Sequence, residues 1–79
     1  GRSGADPAPQ RRPAAGELTR RELEVLAGMS HGRSNAQIGA ELFLSEDTVK
    51  THARRLFRKL GAADRAQAVA IGLRTGLIR

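Results

Sequence analysis

The segment 45–60, SEDTVKTHARRLFRKL, repeats its apolar residues with the period of an α-helix. At about 100° per residue these side chains fall within one arc, which is typical of a helix packed against the rest of a domain. Ser45 suits the N-cap position, and Gly61 suits the residue that ends a helix. The segment therefore predicts a long helix with other helices packed on its apolar side, which consists of Val49, Ala53, Leu56, Phe57 and Leu60.

The opposite side of this predicted helix is basic. The segment carries five Lys or Arg and two acids, and the basic residues gather with Asp47 and Thr51 on one side. The whole chain of 79 residues has a net charge of +6, and residues 18–79 hold eleven of its Lys and Arg against six acids. A basic helix face on a basic domain indicates an acidic partner such as nucleic acid. An ordinary solvated surface is the alternative interpretation of this helix taken alone.

Capping signals predict three further helices. Each begins with a residue that can accept a hydrogen bond from the first turn, followed three residues later by Glu or Gln. The predicted helices cover about 20–31, 34–43 and 64–75, and Gly32 and Gly76 follow the first and the last. The capping pairs are Thr19 with Glu22, Ser34 with Gln37, and Asp64 with Gln67.

The second helix and the basic helix are separated by only Leu44 and Ser45. So short a turn favours a steep crossing, which is the helix-turn-helix arrangement, although the turn alone also fits an ordinary helical hairpin. Gly39 is a poor helix former, and we expect another helix to cross close to it. The chain is predicted to be all-α, with a four-helix helix-turn-helix domain at 18–79. Residues 1–17 hold all three prolines and no large apolar residue, and they predict a disordered tail or linker.

The last helix has an apolar side and an opposite side that is small and weakly polar. The side with the larger residues predicts the core face, made of Ala66, Val69, Ala70 and Leu73. The side with the smaller residues predicts a dimer contact, made of Ala68, Ile71, Gly72 and Thr75. A neutral surface is an equally good interpretation of the second side.

The sequence offers no catalytic or metal site. It has no cysteine and no glycine-rich phosphate-binding motif, so we expect no enzyme activity, no cofactor and no metal. His31 and His52 are the only imidazoles, and a hydrogen bond to phosphate or to backbone is the better prediction for His52. Phe43 and Phe57 are predicted to lie in the core. No apolar run is long enough to cross a membrane, and a cytoplasmic location is expected.

Five motifs with fixed spacing together resemble one family, the DNA-binding domain of the LuxR/FixJ/NarL/GerE class of bacterial transcription regulators. They cover most of 18–78, with Gly28 and Gly39 departing from the family pattern. The resemblance implies that the third helix enters the major groove of DNA and that the fourth helix makes a dimer contact. The motifs are LTRRELEVL at 18–26, GRSNAQI at 32–38, LSEDTVKTH at 44–52, RKLG at 58–61 and RAQAV at 65–69.

Carried onto this sequence, the resemblance also implies the residues that contact DNA. Base-edge contacts are expected at Lys50, Thr51 and Arg54. Phosphate contacts are expected at Asn35, Ser45, Thr48, Arg55 and Arg58. The expected partners are double-stranded DNA and a second copy of the chain. A contact with RNA polymerase is compatible with this expectation, and no membrane partner is expected. A sigma-factor-like promoter-reading module and a protein-interaction module that uses the basic helix are the alternatives.

Overall fold

The computed structural model describes residues 18–79, and within this range the chain forms four helices and no β-strand. The predicted all-α, four-helix fold is confirmed. The tail predicted for 1–17 lies outside the described residues and stays a prediction. In chain order the helices are α1 (Arg20–Ser30), α2 (Asn35–Leu42), α3 (Glu46–Leu60) and α4 (Arg65–Thr75).

Each helix begins where its capping residue predicted. The side chains of Thr19, Ser34, Ser45 and Asp64 accept a hydrogen bond from the backbone N–H three residues further on. In α1 and α2 the pairing is reciprocal, since Glu22 and Gln37 accept from the N–H of the capping residue in turn. Such caps stabilise a helix by about 1 kcal/mol each. Because they act over three residues, helix starts can be read from the local sequence.

The core lies where α1 and α4 pack against α3, with α2 packed on the other part of α3. Val49, Ala53 and Leu56 are the buried residues of α3, and all three belong to its predicted apolar arc. Full burial of a Val, Leu or Ile side chain contributes about 1.5–3 kcal/mol, so the buried side of α3 contributes to the stability of the domain. The other core residues are Val25, Leu26, Met29, Ile38, Ala68 and Ile78.

Phe43 forms the turn between α2 and α3, and its side chain is 94% exposed. The prediction of a core position is wrong for this residue. Phe43 ends α2 in the left-handed conformation, with φ 61° and ψ 41°, which reverses the chain and turns Leu44 toward the core instead. The N–H of Leu44 then donates to the carbonyl of Gly39 at 2.8 Å.

Gly39 is buried where α2 meets this turn. A Cβ placed on it would lie 2.5 Å from the carbonyl oxygen of Leu44, so the expected close approach is present. The neighbour is the backbone of the turn, however, and not a crossing helix as predicted. Gly28 has a similar role in α1, because Ile38 of α2 occupies the space beside it, with Cγ1 2.7 Å from the position of a Cβ.

The core face predicted for α4 is wrong for three of its four residues, and only Val69 packs half-buried against the core. Ala68 and Gly72 are buried, whereas Ala66, Ala70 and Leu73 are exposed. The small side faces inward because it allows a close approach: a Cβ on Gly72 would lie 3.0 Å from side-chain atoms of both Leu26 and Ile78. Two of the four residues predicted for the dimer contact are therefore inside the chain. Of the other two, Ile71 is half-buried and Thr75 is exposed.

A buried ion pair joins α1 to the end of α3. Oε1 of Glu22 lies 2.8 Å from Nζ of Lys59, and Glu22 is only 1% exposed. Burial by itself raises the pKa of this carboxyl. Hydrogen bonds from Lys59 and from the N–H of Thr19, together with electrostatic interaction with Lys59 and His52, outweigh that effect and hold the pKa below its usual value. The pair fixes the C-terminal part of α3 against α1.

Candidate nucleic-acid interface

Four basic side chains are exposed along the outer side of α3. None of them forms an ion pair with any residue in 18–79, where the salt bridges involve other cations. A surface cation that forms no ion pair is available to bind an external anion such as phosphate. The four residues are Lys50, Arg54, Arg55 and Arg58.

Thr51 lies half-buried on the same side of α3. Its hydroxyl donates to the backbone carbonyl of Asp47, four residues earlier, at 3.1 Å. The hydroxyl proton is therefore committed within the helix. The methyl group and the remaining lone pair of Thr51 are left for contact with a base, which suits the methyl group of thymine.

Ser45 and Thr48 form a hydrogen-bonded pair at the start of α3. Ser45 accepts from the backbone N–H of Thr48 and donates its hydroxyl proton to Oγ1 of Thr48 at 2.9 Å. In this arrangement the proton of the Thr48 hydroxyl has no acceptor among the described residues. Thr48 can therefore donate to a phosphate, whereas Ser45 holds the cap and orients Thr48.

Asn35 is the first residue of α2. The first turn of α2 has no acid, and the N–H groups of Asn35 and Ala36 have no carbonyl partner within a helix, so this end can bind an anion. The first turn of α3 is different, because Glu46 and Asp47 both lie in it and repel phosphate. Charge therefore favours the start of α2 over the backbone of the start of α3 as a phosphate site.

Asn35 and the outer side of α3 meet in an open depression of about 240 Å³. Its apolar part is formed by Ala53 and Phe57, and Phe57 is half-buried against the core, close to its predicted place. Lys50 and Arg54 complete the lining. Two of the three residues predicted to contact bases, Lys50 and Arg54, thus share one surface with Asn35, the residue of α2 predicted to contact phosphate, whereas Thr51 is not part of this lining.

Two polar residues of structural importance were not predicted. Arg65, the first residue of α4, donates to the carbonyl oxygen of Arg33 and to Oδ1 of Asn35. Lys59 reaches Glu22. The partners in these pairs are 30 to 37 residues apart, so no local spacing could have indicated them.

His52 lies beside the core, and its Nδ1 is buried without a hydrogen bond in the described part of the chain. The predicted hydrogen bond to backbone is therefore not made by this nitrogen. Residues 18–79 contain no group of three or more His, Cys, Asp or Glu side chains arranged to hold a metal ion. In the same range no helix has the length and apolar character needed to cross a membrane.

Comparison with known proteins decides the family. A family model described as bacterial regulatory proteins, luxR family, matches residues 16–71. The chain belongs to the luxR family. The exposed basic side of α3 thus belongs to the DNA-binding domain of a bacterial transcription regulator, and the family inferred from the five motifs is confirmed.

Similar proteins support the same assignment. The luxR-family chain is 48% identical over 62 residues to the uncharacterized transcriptional regulatory protein YxjL of Bacillus subtilis, covering 78% of this chain and 28% of that protein. It is 48% identical over 66 residues to the probable transcriptional regulatory protein NarL of Mycobacterium tuberculosis, covering 84% of this chain and 31% of that protein. The chain thus spans about a third or less of the length of these relatives.

Two solved structures share the fold of this luxR-family domain. The transcription factor GerE superposes with a TM-score of 0.75 at 35% identity, over 78% of this chain and 92% of that one. The response regulator ChrA of a heme-sensing two-component system superposes with a TM-score of 0.76 at 37% identity, over 92% of this chain and 33% of that one. The helix-turn-helix fold is therefore common to all three.

Proposed function

We propose that this domain binds double-stranded DNA in a sequence-specific manner, with α3 in the major groove. The observation that carries the proposal is the group of four exposed cations on α3, which have no acidic partner in 18–79. The four positive charges repel one another, and the phosphates of DNA would neutralise them. The apolar side of the same helix is buried, so α3 has only this side to offer a partner.

Within this proposal the exposed side of α3 divides into readers and anchors. Lys50, Thr51 and Arg54 contact base edges: Lys50 and Arg54 line the depression, Thr51 follows Lys50 in the chain, and together they can offer ammonium, guanidinium and methyl groups to the major groove. Phosphate contacts come from Asn35, Thr48, Arg55 and Arg58. Ser45 acts through Thr48, whose hydroxyl it orients.

Arg54 and Arg55 offer a matched test, because they are adjacent, chemically identical and both exposed. Sequences bound by the domain are selected from a random duplex pool at roughly 150 mM salt, and the variants Lys50→Ala, Arg54→Ala and Arg55→Ala are then measured on the enriched site. Arg54→Ala should lose about 1–3 kcal/mol of discrimination at particular base pairs. Lys50→Ala should lose the preference for the base pair that Lys50 contacts. Arg55→Ala should weaken binding to every sequence alike and lower the salt slope by about 1.

Equal losses on the selected and random duplexes for Arg54→Ala would contradict its role as a reader. If no motif is enriched and binding disappears at physiological salt, the basic side of α3 serves an acidic protein instead. Circular dichroism of each variant verifies that the helices are retained.

We further propose that two copies bind adjacent half-sites through the exposed side of α4. Ala66, Ala70 and Leu73 follow the spacing i, i+4, i+7, and Leu73 is 49% exposed. This stripe replaces the side predicted from the sequence. It is small, so we expect dimers on palindromic DNA and weak association without it. A dimer on the bacterial chromosome acts in the cytoplasm, and any contact with RNA polymerase would be made from that DNA-bound state.

Leu73→Glu tests the dimer. A buried like-charge pair at the contact should abolish cooperative binding to a palindrome, while affinity for a single half-site stays within about twofold, because α3 is unchanged. Sedimentation of the protein with each duplex measures the stoichiometry. Two copies of Leu73→Glu bound cooperatively on the palindrome would exclude this side of α4.

A further inference from the structure

Arg65 connects the start of α4 to the start of α2. Its Nη1 donates to the backbone carbonyl of Arg33 at 2.5 Å, and its Nη2 donates to Oδ1 of Asn35 at 2.9 Å. Arg65 is half-buried, and it has no acidic partner in residues 18–79. Both acceptors are neutral oxygens on either side of the N-cap of α2. The guanidinium is therefore used to hold the local structure of this helix start.

The chemistry of arginine decides how Asn35 is oriented. A guanidinium carries only donors, so the atom of the Asn35 carboxamide that faces Arg65 has to be its oxygen. The amide nitrogen Nδ2 then lies on the other branch of the carboxamide, and it has no hydrogen bond to any described residue. Asn35 also lines the depression that it shares with Lys50 and Arg54.

We propose that Arg65 is a positioning residue for DNA binding: it fixes the carboxamide of Asn35 so that Nδ2 is presented to a phosphate of the bound DNA. The proposal rests on the phosphate contact of Asn35 in the proposed function. Without Arg65 the carboxamide can rotate or flip, and half of its orientations then offer an oxygen to the phosphate, which repels it. Arg65 reduces this freedom before DNA binds, and preorganisation of one side chain changes affinity by about three- to tenfold.

A direct phosphate contact by Arg65 is the main competing explanation, and the salt dependence separates the two. Loss of a cation bound to phosphate lowers the slope of log K against log salt by about 1, whereas loss of a neutral amide contact leaves the slope unchanged. Arg74 is the control for the lost charge, since it lies exposed on the same helix and forms no ion pair with residues 18–79.

The experiment measures binding of a fluorescent duplex carrying the selected site to Arg65→Ala, Arg74→Ala, Asn35→Ala and the double variant Arg65→Ala/Asn35→Ala. Arg65→Ala should bind about three- to tenfold more weakly than Arg74→Ala, with the same salt slope as Arg74→Ala. When Arg65→Ala is combined with Asn35→Ala, it should add only the loss of affinity that Arg74→Ala causes. The carboxamide that Arg65 positions is already absent from the Asn35→Ala variant. Independent losses in the double variant, or a slope lowered by about 1 relative to Arg74→Ala, would overturn the proposal.

Asn35→Asp keeps the test decisive if Arg65→Ala impairs folding. The carboxylate retains an acceptor for Arg65 but replaces Nδ2 with an oxygen, so urea unfolding should be as in the wild type or shifted to higher urea, while DNA affinity should fall more than about tenfold. If Asn35→Asp binds like the wild type, Asn35 does not contact phosphate and that part of the proposed function fails. If Asn35→Asp loses binding but Arg65→Ala matches Arg74→Ala, the contact stands and Arg65 does not position it.

Discussion

Replacing Glu22 with glutamine tests how much the buried ion pair contributes to stability. Oε1 of Glu22 accepts from Nζ of Lys59 at 2.8 Å and from the N–H of Thr19 at 2.9 Å, and the side chain is 1% exposed. Glutamine keeps an oxygen for the cap but removes the charge. A hydrogen bond to a charged group contributes about 1.5–3 kcal/mol and a neutral one about 1 kcal/mol, so Glu22→Gln should cost about 0.5–2 kcal/mol.

Glu22→Ala should cost more, about 2–3 kcal/mol, because the cap is lost as well. A fully buried pair broken on one side costs about 3–5 kcal/mol. The side chain of Lys59 is 30% exposed and can reach water, so the cost of Glu22→Ala should be lower than the cost for a fully buried pair. A domain of this size has on the order of 3–9 kcal/mol of stability in total, so either substitution should be plainly measurable.

The effect of Glu22 should depend on pH in a defined direction. Its pKa in the folded state is lowered, so its contribution is fully present above the pKa of the unfolded chain and is lost as the pH falls through the folded value. Urea unfolding followed by circular dichroism should therefore show the full difference between wild type and Glu22→Gln at pH 7. The difference should shrink below about pH 4.

Glu24→Gln is the matched control on the same helix. Glu24 pairs with Arg21 at 3.1 Å, but both side chains are more than a third exposed, so its removal should change stability by at most about 0.5 kcal/mol. The reasoning is refuted if Glu22→Gln is as stable as Glu24→Gln at pH 7. A difference between Glu22→Gln and wild type that persists unchanged at pH 3 would refute the ionic part of it.

Three further substitutions test local features by thermal unfolding and DNA binding. Phe43→Asn should raise stability by about 1 kcal/mol, since Phe43 has φ 61° and buries almost nothing, and an unchanged or lower Tm would show that Phe43 makes a stabilising contact. Gly61→Ala should lower stability by about 1 kcal/mol, because φ is 70° and no atom lies within 4 Å of a new Cβ, so the cost is conformational alone. Thr48→Val should weaken binding to all duplexes several-fold without altering the selected motif, and a changed motif would make Thr48 a reader.

Short-range signals in the sequence were sufficient for the helices. The capping pairs Thr19 with Glu22 and Ser34 with Gln37 are both formed, and the predicted helix starts agree with the structure. The basic side of α3 could be read from its period, because a helix places residues three and four apart on the same side. The family followed from five motifs at fixed spacing. The helix starts and the basic side depend on residues within one or two turns of helix.

The face that α4 buries was not determined by its own sequence. One side of α4 is apolar and the opposite side is small and weakly polar, and the apolar residues Ala70 and Leu73 suggested the wrong side as the buried one. The choice was made by α1 and the C-terminal segment, because Leu26 and Ile78 fit against the missing side chain of Gly72. Periodicity measures how apolar a side is, but it carries no information on the shape of the surface that will meet it.

The sequence by itself thus determined where the helices begin and end and which side of α3 is basic, because each of these depends on residues close together in the chain, and its five motifs indicated the family. Only the tertiary structure decided that Phe43 points to solvent, that Lys59 meets Glu22, and that Arg65 holds Asn35. The physical reason is common to these cases. Each depends on the position and direction that the folded backbone gives to a side chain, and the packing of the whole core determines both.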